Sequence, residues 1–161
     1  MRVVCNAGPL IHLARAAHFD LLRIQFRRIL IPPAVYEEVA IRGQGEDGAQ
    51  ELAQARCIYS RRPRRTDLIA ALGTILGRGE AEAIALASER ERTLLLNDEA
   101  HGRRVARNMG IAIRGTLGLL LDGHRGGHVS DLEAAIRRMR DHGTWIDDGL
   151  IAAVLATARE R

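Results

Sequence analysis

The chain has 161 residues, 47% of them apolar, enough for one domain with a sizeable buried core. No apolar run approaches the roughly 18 residues that cross a bilayer, and the opening residues lack a charged-then-apolar leader pattern, so a cytoplasmic protein is expected. All 24 basic side chains are arginine, the net charge is +4 and only 3% of residues are aromatic, which favours a polyanion gripped by its phosphates over one held on stacked rings.

Arg2–Cys5 reads as a buried strand that ends at Asn6, with a helix near Leu10–Ala17 behind it. Arg28–Ile31 reads as a second strand, stopped by Pro32-Pro33, which suit the first turn of a helix over Ala34–Ile41. At about 100° per residue, Ala34, Val35, Val39 and Ile41 share one arc, Glu38 projects from its middle and Glu37 points away. Gly43–Gly48 reads as a mobile loop, followed by a helix over Ala49–Arg56 and a weaker strand at Cys57–Tyr59. Arg61, Arg62, Arg64 and Arg65 then bracket Pro63 in a charged loop before a helix over Asp67–Leu72.

Over Glu80–Glu91 a further helix places Ala83, Ile84, Leu86 and Ala87 on one arc with Glu80 inside it, leaving Glu82 and Glu89 pointing outward. Thr93–Leu96 is a fourth strand, running into Asn97-Asp98 and a helix over Gly102–Met109. Ile111–Ile113 is a fifth, entering Arg114-Gly115-Thr116, and the rest is helical from Leu117 to Ala158, broken at Gly126-Gly127 and His142-Gly143. Strands alternating with helices give an α/β fold, a three-layer α/β/α sandwich around a parallel sheet of about five strands, in one domain whose last ~45 residues form a helical extension packed on it. Cys5 and Cys57 are expected to be reduced core thiols, and the six histidines show no ligand spacing.

Sites in open parallel sheets lie beyond the carboxyl ends of the strands, where Asn6 and Asp98 stand. Glu38 and Glu80 sit on core-facing arcs, where a carboxylate loses hydration. At ~4 Å, two carboxylates repel by about 4 kcal/mol at an effective dielectric of 20, so a shared cation is expected. All-oxygen ligation by Asn6, Glu38, Glu80 and Asp98 suits Mg²⁺ or Mn²⁺ better than zinc. Taken alone, Asp98 also suits a helix cap, Glu99 a solvated acid in a first helical turn, and Thr116 either a cap or a hydrogen-bond donor to water or phosphate. Arg103, Arg104 and Arg107 share one helix face beside Asp98 and are candidates for phosphate contacts, with Val105, Ala106 and Met109 on the other face. Leu117, Leu119, Leu120 and Leu121, with Ile151, Val154 and Leu155, form apolar stripes that suit core packing, a homodimer face or a groove for a partner helix.

Four stretches carry a resemblance. Val3-Val4-Cys5-Asn6-Ala7-Gly8-Pro9-Leu10-Ile11, Ile31-Pro32-Pro33-Ala34-Val35-Tyr36-Glu37-Glu38-Val39, Gly79-Glu80-Ala81-Glu82-Ala83-Ile84-Ala85-Leu86-Ala87 and Leu95-Leu96-Asn97-Asp98-Glu99-Ala100-His101-Gly102-Arg103-Arg104-Val105-Ala106 occur in the order of the motifs of PIN domains, and together they resemble that family. Gly115-Thr116-Leu117-Gly118 also recurs in one bacterial and archaeal branch of it. The resemblance implies a metal-dependent ribonuclease, often the VapC-like toxin of a toxin–antitoxin pair, with Glu38, Glu80 and Asp98 holding Mg²⁺ or Mn²⁺ and a water attacking phosphorus. Asn6 departs from the aspartate common at its position. An amide oxygen can bind a metal but brings no formal charge and cannot act as a base. A non-cleaving module that binds nucleic acid or a partner protein is therefore the alternative reading.

Overall fold

The computed structural model describes residues 1–160. Five parallel strands, β1 (Arg2–Cys5), β2 (Ile29–Ile31), β3 (Ile58–Ser60), β4 (Thr93–Leu96) and β5 (Ala112–Arg114), form one sheet in the order β3-β2-β1-β4-β5. The register runs Val3 beside Leu94, Val4 beside Leu95 and Cys5 beside Leu96, with Val4 also beside Leu30. Side chains of parallel neighbours point the same way, so the period of two sorts these residues onto two faces. Val3, Cys5, Ile29, Ile31 and Leu96 enter one core with helices α1 (Ala7–Arg15), α2 (Leu21–Gln25), α8 (Thr116–Arg125) and α9 (Leu132–Asp141). Val4, Leu30 and Leu95 enter the other with α5 (Thr66–Leu72), α6 (Arg78–Ser88) and α7 (Ala100–Asn108). The result is a three-layer α/β/α sandwich, with α3 (Pro33–Tyr36), α4 (Ala49–Gln54) and α10 (Asp148–Arg159) completing the helices.

Helix ends follow local chemistry. Pro33 opens α3, where its missing N–H costs nothing. Asp131 accepts from the Ala134 N–H at 2.9 Å to cap α9, and Asp147 accepts from the Leu150 N–H at 3.1 Å to cap α10. The leucine stripe of α8 is absorbed by the sheet: Leu119, Leu120 and Leu121 are buried, and Ile151, Val154 and Leu155 of α10 pack against the same core. Cys5 and Cys57 are free thiols. Among the described residues no helix is long and apolar enough to cross a membrane.

The structure corrects four expectations. Residues Glu37–Arg42 continue α3 as a π-helix, so the α-helical spacing fails there: Glu38 and Ile41 are exposed, while Glu37 is half-buried and approaches Arg78 at 3.5 Å. Glu82 is buried, because α6 runs between the sheet and its flanking helices with every residue from Ala81 to Ala87 buried, and its carboxylate meets Arg78 Nε at 3.4 Å. Glu89 is likewise turned inward, beside the Arg64 N–H. Met109 is exposed just past the end of α7. The short helix α2 was not foreseen, since five residues carry too little periodicity to read.

Leu120→Ala tests the docking of α8, since Leu120 is fully buried between α8 and the sheet core. Urea unfolding should show a loss of about 2–5 kcal/mol. A change within about 0.5 kcal/mol, the range of surface positions, would contradict this packing.

Candidate active site

From β1 the chain builds outward to β2 and β3, then crosses back to add β4 and β5 on the other side. Strand order therefore reverses between β1 and β4, and the crevice beyond their carboxyl ends is where such sheets hold ligands. Asn6 and Asn97 close these two strands, both buried. By the period of two they continue the rows of Val4 and Leu95 and so face α6. Asn6 Nδ2 donates to Asn97 Oδ1 at 3.3 Å, and the same oxygen accepts the Glu99 N–H at 3.0 Å. The Asn97 carbonyl accepts from Arg103 Nη1 at 3.3 Å. Asn97 Nδ2 is buried without a hydrogen-bond partner.

Glu80 lies beside that nitrogen because Gly102 leaves room for it. A β-carbon on Gly102 would stand 2.6 Å from Glu80 Cδ, 2.8 Å from Asn97 Nδ2 and 2.9 Å from Glu80 Oε1, so only glycine fits without displacement. Glu38, brought round by the π-helix, reaches the same side: Glu38 Oε2 and Asn6 Oδ1 lie 3.4 and 3.8 Å from where a β-carbon of Gly79 would sit. Burial pushes the Glu80 carboxyl above the ordinary glutamate range, and the negative charges of Glu99 and Glu38 push it further.

Asp98 belongs to the other face. It follows the row of Leu96 and points towards α1 and α8, where Thr116 donates its N–H to Oδ1 at 2.7 Å and its hydroxyl to Oδ2 at 2.6 Å. His12 Nδ1–H donates to Oδ2 at 2.7 Å. Burial alone would raise the Asp98 carboxyl, but the hydrogen bonds from His12 and Thr116 outweigh it and hold the group below the ordinary aspartate range. Among the described residues no three His, Cys, Asp or Glu side chains meet in one metal-binding cluster, so Glu38, Glu80 and Asp98 are not gathered at one point. The oxygens that share the crevice are those of Asn6, Glu38 and Glu80, with Glu99 exposed at its rim.

The α7 arginines divide in two. Arg103 is half-buried, bonded to the Asn97 carbonyl, and a β-carbon on Gly115 would meet its Nη1 at 2.5 Å and Asp98 Oδ1 at 3.0 Å. Burial and then Arg107 lower its pKa, partly offset by Asp98. Arg104 and Arg107 are exposed. Sequence reasoning missed Asn97 and His12. The alternation in Leu94–Leu96 that places Asn97 opposite Asp98 was available as a signal, and so was the one-turn spacing of Gly8 and His12 on α1, whereas the partner of His12 is 86 residues away and left no local trace.

A family model described as PIN domain matches residues 2–160. No curated protein and no solved structure matches the chain significantly.

Two substitutions probe this geometry. The Asp98 carboxyl is depressed in the folded state, so its stabilisation is complete above the unfolded-state value of 3.8 and is lost as pH falls through the lower folded value. Asp98→Asn should therefore cost roughly 1–3 kcal/mol at pH 6, with the gap to the parent narrowing as pH falls below 3.8 in urea unfolding; a gap that does not vary with pH would refute the carboxylate's role. Gly102→Ala should cost about 1–3 kcal/mol, since its methyl must displace both Glu80 and the fully buried Asn97 amide, which outweighs the gain in helix propensity. An unchanged Glu80 titration in ¹³C-edited NMR of that variant would contradict the close approach.

Proposed function

Because the chain belongs to the PIN-domain family, whose fold is of nuclease type, we propose that it is a Mg²⁺- or Mn²⁺-dependent endoribonuclease that hydrolyses RNA phosphodiester bonds in the crevice beyond β1 and β4. The observation that carries this is the acidity gathered there: Glu38 and Glu99 bear on Glu80 at the crevice that Asn6 also lines. The donor set fits a hard divalent ion, since Asn6, Glu38 and Glu80 present oxygens to one crevice and would hold it. Such an ion stabilises negative charge on the attacking and leaving oxygens.

The protein's own groups have separable roles. Glu80, a carboxylate at the crevice beside Asn97, is suited to take the proton of an attacking water. Asn6 is oriented by its bond to Asn97, which presents its amide oxygen towards Glu38. Asp98, the fourth residue of the set implied by the family resemblance, is tied to Thr116 and His12 and forms the rigid acidic wall between β4 and α8. Arg103 is fixed at the crevice while Arg104 and Arg107 extend from it, an arrangement that can grip phosphates flanking the scissile bond. A toxin role and an antitoxin partner belong to the same proposal and rest on the family resemblance, while a homodimer would have to use a surface other than the α8 and α10 stripes, which pack into the core.

Incubation of structured RNA with the protein and Mn²⁺ should give discrete products that EDTA abolishes and that Glu80→Gln reduces by at least ~100-fold, the loss expected when a positioned proton acceptor is removed. Full activity in Glu80→Gln protein would overturn the assignment, and metal-independent RNA binding without products would favour a non-cleaving module.

A further inference from the structure

A second basic feature lies at the opposite end of α6. Arg2, Arg61, Arg64, Arg65 and Arg90 line a cleft of about 310 Å³ with Glu89. An adjoining cleft of about 400 Å³ shares Arg2, Arg61 and Arg90 and adds Arg28. Arg2 and Arg28 stand at the amino ends of β1 and β2, and Arg90 precedes β4, whereas Asn6 and Asn97 stand past the carboxyl ends of β1 and β4. The loop after β3 is drawn over them by the Arg64 N–H, which donates to Glu89, and by the burial of Pro63.

The charges here are unbalanced. The Arg2 side chain is only 12% exposed, and among the described residues its Nε and Nη2 have no hydrogen-bond partner, with the Glu89 carboxylate 4.0 Å away. A buried guanidinium with orphaned donors is costly. Burial and then Arg90 depress its pKa, with Arg61 and Arg28 adding to the effect against Glu89. Arg28 in turn stacks over the Tyr59 ring at 4.9 Å, which fixes it at the cleft edge. Planar guanidinium forks converging on a half-enclosed space match the oxygens of a phosphate group, and an anion there would satisfy Arg2 and relieve the repulsion among its neighbours.

We propose that the arginine cleft formed by Arg2, Arg28, Arg61 and Arg90 is a binding site for a phosphate-bearing anion, separate from the crevice beyond β1 and β4. Two sources carry that chemistry, a free phosphorylated small molecule and the backbone of an RNA strand. The site needs no metal, and its existence does not depend on cleavage.

The test measures inorganic pyrophosphate binding by calorimetry and labelled single-stranded RNA binding by anisotropy, both in EDTA, for the parent chain, an Arg61→Ala/Arg90→Ala variant and Arg137→Ala, an exposed arginine of α9. Arg61 and Arg90 are exposed, so the double variant removes little packing. Pyrophosphate affinity should fall at least tenfold in the double variant and stay unchanged in Arg137→Ala. If RNA affinity also falls and its salt dependence flattens by one to two units of slope, as two lost phosphate contacts require, the bound phosphate belongs to an RNA backbone. If RNA affinity holds while pyrophosphate is lost, the ligand is a free phosphorylated molecule. Absence of pyrophosphate binding to the parent chain, or equal binding by the double variant, would overturn the site.

Discussion

Asn6 and Asn97 extend β1 and β4 one step past Cys5 and Leu96, which are themselves in register, and the hydrogen bond between their side-chain amides joins the two strands where the strand order reverses. The pair is neutral, so it can be buried beside Glu80 without adding to the repulsion already there. It is also polar in one direction: Asn6 donates to Asn97, and Asn97 presents its own N–H groups towards Glu80. An aspartate at position 6 could not donate, and the chain of dipoles would end in two facing acceptors. The departure at Asn6 thus has a structural partner in Asn97, and the two are best understood together.

Asp98 and Glu80 illustrate how one cost meets two responses. Both carboxylates lose water, and for both that loss is the largest influence on the proton. Asp98 receives three donors from His12 and Thr116 and stays ionised easily. Glu80 faces Glu99 and Glu38 and is pushed the other way. The first is a finished arrangement that holds β4 to α1 and α8. The second is a cluster of acids whose mutual repulsion makes Glu80 easier to protonate.

Much of this was legible in the chain. The runs Val3-Val4-Cys5 and Leu94-Leu95-Leu96 announce buried parallel strands, and all five strands fall within a residue of where pattern places them, while the start of α1 and the end of α6 differ by three residues. What pattern could not give were features set by distant partners or by departures from the ideal helix. Glu82 was taken for a solvated residue because alanine-rich α6 hides how closely its neighbours approach on every side. The split between Asn97 and Asp98 needs only the period of two, but it becomes visible once the helix on each face is known. His12 and Arg2 acquire their meaning from groups far along the chain, and no local periodicity encodes that.

The π-helical segment Glu37–Arg42 has a consequence for how this chain can vary. A turn that holds one residue more than its neighbours behaves as a phase shifter: gaining or losing a single amino acid there rotates whatever lies beyond by about 100°. The aim of Glu38 is therefore fixed by counting as much as by chemistry. Point substitutions along this stretch should be tolerated more readily than a one-residue indel, which would swing the carboxylate off its target while leaving every residue type in place.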